Sequence, residues 1–166
     1  MNDHAVIHDT FTLERRYAVP AAVVFGAFAS EQAKDSWGVT DGVAPLDGPG
    51  AAGEGAAEFN FRVGGREFFT MQMDGTTYRY DARYYDIVPD RRLVYSYEMY
   101  ADGQRISVSL ATIAFIPRGE GTLLAWTEQG TFLDGHLGAD APALRKSGTA
   151  EMLDGLAAYL QRESAR

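Results

Sequence analysis

A long stretch of period-two alternation between Ala57 and Glu128 constrains the fold of this sequence more than any other feature. Apolar and polar residues alternate there in short segments, and turn-forming pairs such as Gly64-Gly65, Asp74-Gly75 and Asp102-Gly103 separate the segments. We predict six consecutive strands over residues 57–63, 66–73, 76–88, 93–99, 106–114 and 124–128. Strands joined by such short turns form an antiparallel meander.

The segments on either side of the meander predict one more strand and three helices. Residues 11–19 alternate and end at Pro20, which suits the first turn of a helix. A second short helix is expected from Ser30, a suitable N-cap, to Trp37. After residues 133–141, Pro142 opens a final helix with an apolar stripe formed by Met152, Leu153, Leu156, Tyr159 and Leu160. We therefore predict an α+β domain over 11–162, with a flexible N-terminus over 1–10 and a tail over 163–166.

The composition is typical of one globular domain and excludes several classes of function. The chain has 166 residues, 46% of them hydrophobic, and a formal net charge of -8 without a basic stripe, so nucleic acid is not an expected partner. Cysteine is absent, which excludes disulfides and thiolate chemistry. The first ten residues do not resemble a signal peptide, and the uncharged run over residues 17–29 is too short to span a bilayer. A cytoplasmic location is the expectation.

Residues 38–56 form a loop rich in glycine and proline, which we interpret either as a mobile lid or as an ordinary connection. Within it, residues 48–53 match the pattern G-x-G-x-x-G. A dinucleotide site needs a buried strand before this pattern and a helix after it, and the sequence offers neither. No cofactor is expected.

The three histidines do not predict a metal site. His4 and His8 are four residues apart but lack the glutamate that a metalloprotease motif needs, and His136 lies in a separate loop. A nucleophile elbow of the form G-x-S-x-G does not occur in the sequence.

Aromatic residues are concentrated on the predicted strand faces, where they either fill a core or line a ligand pocket. Both interpretations stay open. The candidate lining residues are Trp37, Phe61, Tyr80, Tyr84, Tyr97, Trp126, Phe132, Met152 and Leu156.

Glu128 is the candidate catalytic and ligand-binding acid, because alternation places it on the same strand face as Leu124 and Trp126. A carboxylate in a hollow between sheet and helix would be desolvated, so Glu128→Gln should then stabilise the protein. Alternatively Glu128 lies at a strand end, or pairs with an arginine such as Arg79 or Arg83. Asp81 and Glu98 are weaker candidates, since alternation places them opposite the tyrosine faces.

Three segments carry a resemblance to a known superfamily: residues 61–66, 85–95 and 127–135, supported by the pattern of the last helix. The chain resembles the START-like helix-grip superfamily of polyketide cyclases and lipid-transport proteins. Within it, the sequence is similar to the branch related to activators of the heat-shock chaperone ATPase. The resemblance implies a curved antiparallel sheet wrapped on the C-terminal helix, a cavity between them, and ligands that range over lipids, polyketides and hormones. For some members it also implies contact with a chaperone.

Three hypotheses follow for function. The first is a binding protein for a small, largely apolar molecule. The second is an enzyme of the cyclase or hydratase kind that uses Glu128 as a proton-transferring acid. The third is an interaction module for another protein, and the chain could in addition form a homodimer.

Overall fold

The computed structural model describes residues 4–38 and 57–166, together with the backbone of Ala44–Pro45. The strands are β1 Val6–Tyr17, β2 Ala44–Pro45, β3 Glu58–Phe59, β4 Arg66–Met73, β5 Thr76–Val88, β6 Arg92–Ala101, β7 Gln104–Arg118 and β8 Gly121–Leu133. The helices are α1 Ala21–Ala29, α2 Glu31–Trp37 and α3 Ala141–Ser164, and a short 3-10 turn, Gly138–Asp140, precedes α3.

The strands form one curved antiparallel sheet in the order β1-β8-β7-β6-β5-β4-β2, and β3 also pairs with β4. The chain therefore adopts the predicted α+β helix-grip fold. The first strand pairs with the last, with Val6 opposite Leu133 and Tyr17 opposite Thr122. Helix α3 contacts both of these strands and also α2.

The core lies between the inner face of the sheet and the three helices. In β8, alternate residues including Leu124 and Trp126 are buried, as the period-two pattern requires. Helix α3 contributes Leu153, Leu156 and Leu160 to the same core. The indole N–H of Trp37 donates to the carbonyl of Ala27 at 2.9 Å, which ties the end of α2 to α1.

Strand β1 begins at Val6, five residues before the predicted start. Residues 6–10 pair with β8 over Gln129 to Leu133, so they belong to the sheet and not to a flexible N-terminus. Their side chains are mostly exposed and polar, which is why the alternation that marks a half-buried strand is missing.

The predicted strand over residues 57–63 is largely wrong. Only Glu58–Phe59 pairs with β4, and the chain then enters a loop in which the N–H of Gly65 donates to the carbonyl of Arg62 at 2.8 Å. The predicted two-residue hairpin turn at Gly64-Gly65 does not form. A Cβ at Gly65 would lie 2.0 Å from the carbonyl oxygen of Asn60, so the close approach of the backbone requires glycine here.

The predicted lid over residues 38–56 and the glycine pattern at 48–53 lie outside the described residues, apart from Gly38 and the backbone of β2. Every helix in the described ranges is too short or too polar to cross a membrane.

Candidate functional site

A cavity of about 870 Å³ lies between the inner face of the sheet and helices α2 and α3. Its volume is within the range of small-molecule sites, which is roughly 300–1,000 Å³. Aromatic side chains from five strands and α2 form much of its wall: Trp37, Phe59, Phe68, Phe69, Tyr78, Tyr80, Tyr95, Tyr97, Trp126 and Phe132. The wall formed by α3 includes Arg145, Gly148 and Met152.

Glu128 lies behind this wall in a buried ion pair. It is 1% exposed, and its Oε1 accepts hydrogen bonds from the Tyr97 hydroxyl at 2.6 Å and from Arg145 Nη1 at 3.0 Å. Its Oε2 accepts a bond of 3.3 Å from the indole N–H of Trp126. The carboxylate is therefore charge-paired and hydrogen-bonded through both oxygens.

Arg145 connects this acid to the cavity. Its Nη1 donates to Ser109 Oγ at 3.0 Å and its Nη2 donates to Ser107 Oγ at 2.7 Å. Burial by itself lowers the pKa of Arg145, but the contacts with Tyr97 and Glu128 outweigh this effect and raise the pKa above its ordinary value. The guanidinium is therefore a permanent positive charge at the cavity wall.

A second charged group lies on the β4 and α2 side of the cavity. Glu67, which is 5% exposed, forms an ion pair with Lys34 from α2. The Tyr84 hydroxyl donates to Glu67 Oε2 at 2.6 Å. Lys34 and Glu67 both line the cavity, so in the described part of the lining Lys34 and Arg145 are each neutralised by an acid on a different element.

The inner-face tyrosines remain neutral phenols. Burial raises the pKa of Tyr80, Tyr84, Tyr95 and Tyr97 well above the ordinary value. They therefore act as hydrogen-bond donors and acceptors, and not as charged groups.

The structure divides the predicted site residues into two sets. Trp37, Tyr80, Tyr97, Trp126, Phe132 and Met152 line the cavity. Phe61, Tyr84, Glu128 and Leu156 are absent from the lining formed by the described residues and belong to the packing behind it.

Sequence reasoning missed Lys34, Glu67 and Arg145. Arg145 lies four residues before the buried Thr149 and eight before Leu153, so helical spacing places it on the stripe that faces the sheet. Glu67 alternates with Phe69 and Met71, which also line the cavity. These patterns could have identified Arg145 and Glu67, whereas Lys34 lies in a helix of seven residues whose pattern is too short to interpret.

The arginines that the sequence offered as partners of Glu128 do not pair with it. Arg79 stacks on the ring of Tyr100 with 3.6 Å between the guanidinium carbon and the ring centroid. Asp81 pairs with Arg66 through two bonds of 2.8 Å, and the bonds from Arg66 hold the pKa of Asp81 below its usual value. Glu98 pairs with Arg105.

The histidines are separated in the structure. His8 lies in β1, where its Nδ1 is 3.3 Å from Thr131 Oγ1, and His4 lies beside Asp134. His136 packs its ring edge-on against Tyr78 at the cavity.

The fold and the cavity define a protein of the helix-grip class. Residues 18–161 match the family model described as activator of Hsp90 ATPase homolog 1-like protein. Since this match spans most of the chain, the protein belongs to that family.

Two similar solved structures come from rhizobia. The protein Mll3558 from Rhizobium loti is 41% identical, with a TM-score of 0.79, 94% of this chain covered and 99% of that one. An uncharacterized protein from Rhizobium leguminosarum is 38% identical, with a TM-score of 0.83, 96% of this chain covered and 98% of that one. A protein from Chromobacterium violaceum, 24% identical with a TM-score of 0.71 and coverage of 91% and 96%, shares the fold. A comparison with functionally curated proteins found no match.

Proposed function

We propose that the protein binds a small, largely apolar, ring-containing or lipid-like molecule in the cavity between the sheet and α3. The observation that carries this proposal is a space of about 870 Å³ whose wall, in the described residues, is mostly apolar and includes ten aromatic side chains. Close packing of the helices on the sheet would leave no space of this size between them. Aromatic walls with a few fixed polar groups are typical of ligand sites.

The two buried ion pairs support the same proposal. Lys34–Glu67 joins α2 with β4 and Arg145–Glu128 joins α3 with β8, so each pair connects a helix to the sheet beside the cavity. Such pairs contribute little net stability compared with apolar packing, but they fix side chains in one geometry. We interpret them as supports that hold the cavity open and keep its polar groups in place.

The enzyme hypothesis based on Glu128 is less well supported. A general acid or base must reach the proton that it transfers, directly or through one water. Glu128 is buried behind the lining residues, and both its oxygens accept hydrogen bonds from the protein. This arrangement favours a role in holding Arg145 and Tyr97.

Contact with the chaperone Hsp90 is a second candidate, and the description of the matched family is what favours it. Binding of the protein to purified Hsp90 would separate this candidate from the first, since a ligand-binding function does not require it. A cytoplasmic location and homodimer formation remain predictions from the sequence.

Native mass spectrometry of the protein freshly purified from its own host tests the proposed binding function. We expect a mass above that of the chain alone, and we expect the excess to disappear after denaturation. The denatured sample is the control for covalent modification, because a covalent group would keep the mass above that of the chain after denaturation. A spectrum that contains only the chain mass, under conditions gentle enough to preserve weak complexes, would argue against a retained ligand.

A further inference from the structure

Tyr95 differs from Tyr84 and Tyr97, the inner-face tyrosines on either side of it. The Tyr84 hydroxyl donates to Glu67 and the Tyr97 hydroxyl donates to Glu128, each at 2.6 Å. Tyr95 lies between these two rings, with centroid distances of 5.7 Å to Tyr84 and 6.2 Å to Tyr97. It lines the cavity and is only 4% exposed, but its hydroxyl oxygen keeps accessible surface there and has no hydrogen-bond partner within residues 4–38 and 57–166.

A hydroxyl that opens on the cavity and has no protein partner is a free hydrogen-bonding group for a ligand. When a bound ligand covers this group, leaving it unpaired costs free energy, because the great majority of buried polar groups are hydrogen-bonded. A phenylalanine would fill the same ring position without that cost. The hydroxyl of Tyr95 is therefore best explained by a partner that arrives with the ligand.

The charges around Tyr95 indicate what kind of partner fits. Lys34 Nζ lies 5.9 Å from the centroid of the Tyr95 ring, but Glu67 already neutralises it. Arg145 is likewise neutralised by Glu128. The other acidic residues of the described lining are Glu31, Asp35, Glu58, Asp74 and Glu151. An anionic group would enter a wall that already carries an excess of negative charge, so a neutral group is favoured.

We propose that the ligand is an uncharged ring compound that carries a carbonyl oxygen, and that the Tyr95 hydroxyl donates a hydrogen bond to this oxygen. This inference rests on the proposed binding function and specifies the ligand class of the same cavity. Because burial keeps the Tyr95 phenol protonated, it is a donor over the whole physiological pH range.

Three naphthalene probes substituted at the same ring position test the inference: acetylnaphthalene, ethylnaphthalene and naphthoate. They share one ring system and differ only in its substituent, which is a neutral hydrogen-bond acceptor, an alkyl group or a carboxylate anion. Trp126 lines the cavity, so its fluorescence reports binding. We expect acetylnaphthalene to bind roughly 3- to 10-fold more tightly than ethylnaphthalene, as one hydrogen bond predicts, and naphthoate to bind most weakly.

Tyr95→Phe should abolish the preference for acetylnaphthalene over ethylnaphthalene and leave the Kd of ethylnaphthalene unchanged. Its melting temperature should equal or exceed that of the wild type, because the hydroxyl makes no hydrogen bond to the described residues. Tyr84→Phe is the matched control. Tyr84 is outside the described lining and donates to Glu67, so this variant should lose stability and keep the preference.

The outcomes separate this inference from the proposed function. Three results would contradict the role of Tyr95 but not the existence of a binding cavity. The first is equal Kd values for acetylnaphthalene and ethylnaphthalene, and the second is a preference for acetylnaphthalene that persists in Tyr95→Phe. The third is tighter binding of naphthoate than of the two neutral probes. Failure of all three probes to bind would contradict the proposed function and the inference with it.

Discussion

Glu128 illustrates how one side chain acquires its role from partners on other elements. A carboxylate with 1% exposure has lost nearly all its hydration, and an unpaired charge in that position would be very costly. Arg145 from α3 and Tyr97 from β6 supply the missing interactions at 3.0 and 2.6 Å. The acid thereby fixes the position of two groups that line the cavity.

We predict that Glu128→Gln destabilises the protein by roughly 3 kcal/mol. The substitution leaves Arg145 buried without its counter-charge, although the amide oxygen still accepts a hydrogen bond. This sign is opposite to the one expected from the sequence, where a desolvated and unpaired carboxylate would have made Glu128→Gln stabilising. Denaturant unfolding at neutral pH gives the free energy directly.

Glu120→Gln is the matched control, because Glu120 is exposed in the turn before β8. We expect it to change the free energy of unfolding by less than about 0.5 kcal/mol. If Glu128→Gln is as stable as this control, the ion pair between Glu128 and Arg145 does not stabilise the structure around the cavity.

At the residue scale, the aromatic side chains of the site were easier to predict from the sequence than its polar groups. Tyr80, Tyr97 and Trp126 follow from strand alternation, since their positions depend only on the period of their own strand. The pairing of Arg145 with Glu128 depends instead on how α3 is placed across the sheet. That placement is decided by packing, which a local pattern does not contain.

At the scale of elements, the face of α3 that points towards the sheet has two structural roles. Its later turns bury Leu153, Leu156 and Leu160 in the core, and its earlier turns present Arg145 and Gly148 to the cavity. Pro142 near the start of the helix suits a position where the backbone N–H needs no helical partner. The same amphipathic pattern therefore closes the core at one end and forms a wall of the site at the other.

Leu156→Ala should lower the free energy of unfolding by roughly 2–5 kcal/mol, because Leu156 is fully buried and its removal leaves a cavity in the core. Leu144→Ala in the same helix is the control, since Leu144 is 51% exposed and should lose little. Denaturant melts of both variants test this. Equal losses in the two variants would mean that α3 packs on the sheet through a different face.

The elements themselves were predictable where both periodicity and turn chemistry were strong, as in β5 to β8 and α3. The prediction failed at residues 60–65, where alternating residues form a loop. The N–H of Gly64 donates to the carbonyl of Tyr84 on β5, a contact with a distant strand that sequence alternation does not reveal. Strand β1 was predicted too short because its first residues are polar and gain their order from pairing with β8.

At the scale of the whole molecule, the sheet and α3 approach each other closely at one end and leave the cavity at the other. Aromatic residues serve both ends: Phe25, Phe28 and Phe115 pack edge to face in the core, while Tyr95 and Tyr97 lie at the cavity. The sequence could not divide the aromatic residues between core and cavity, because both environments favour the same residue types. Only the three-dimensional arrangement makes that division.

Binding of ethylnaphthalene to a variant with a blocked cavity tests the central claim most directly. Gly148 lines the cavity, and a Cβ added there meets nothing within 4 Å, so Gly148→Phe should place a ring in the open space. Gly26→Phe is the matched control, since Gly26 is exposed on α1, outside the described lining, and its Cβ also meets nothing within 4 Å. We predict that Gly148→Phe weakens binding by about tenfold or more, as the loss of a little over 1 kcal/mol of contact would do, while Gly26→Phe binds like the wild type. Undiminished binding to a folded Gly148→Phe variant would show that the ligand site lies elsewhere.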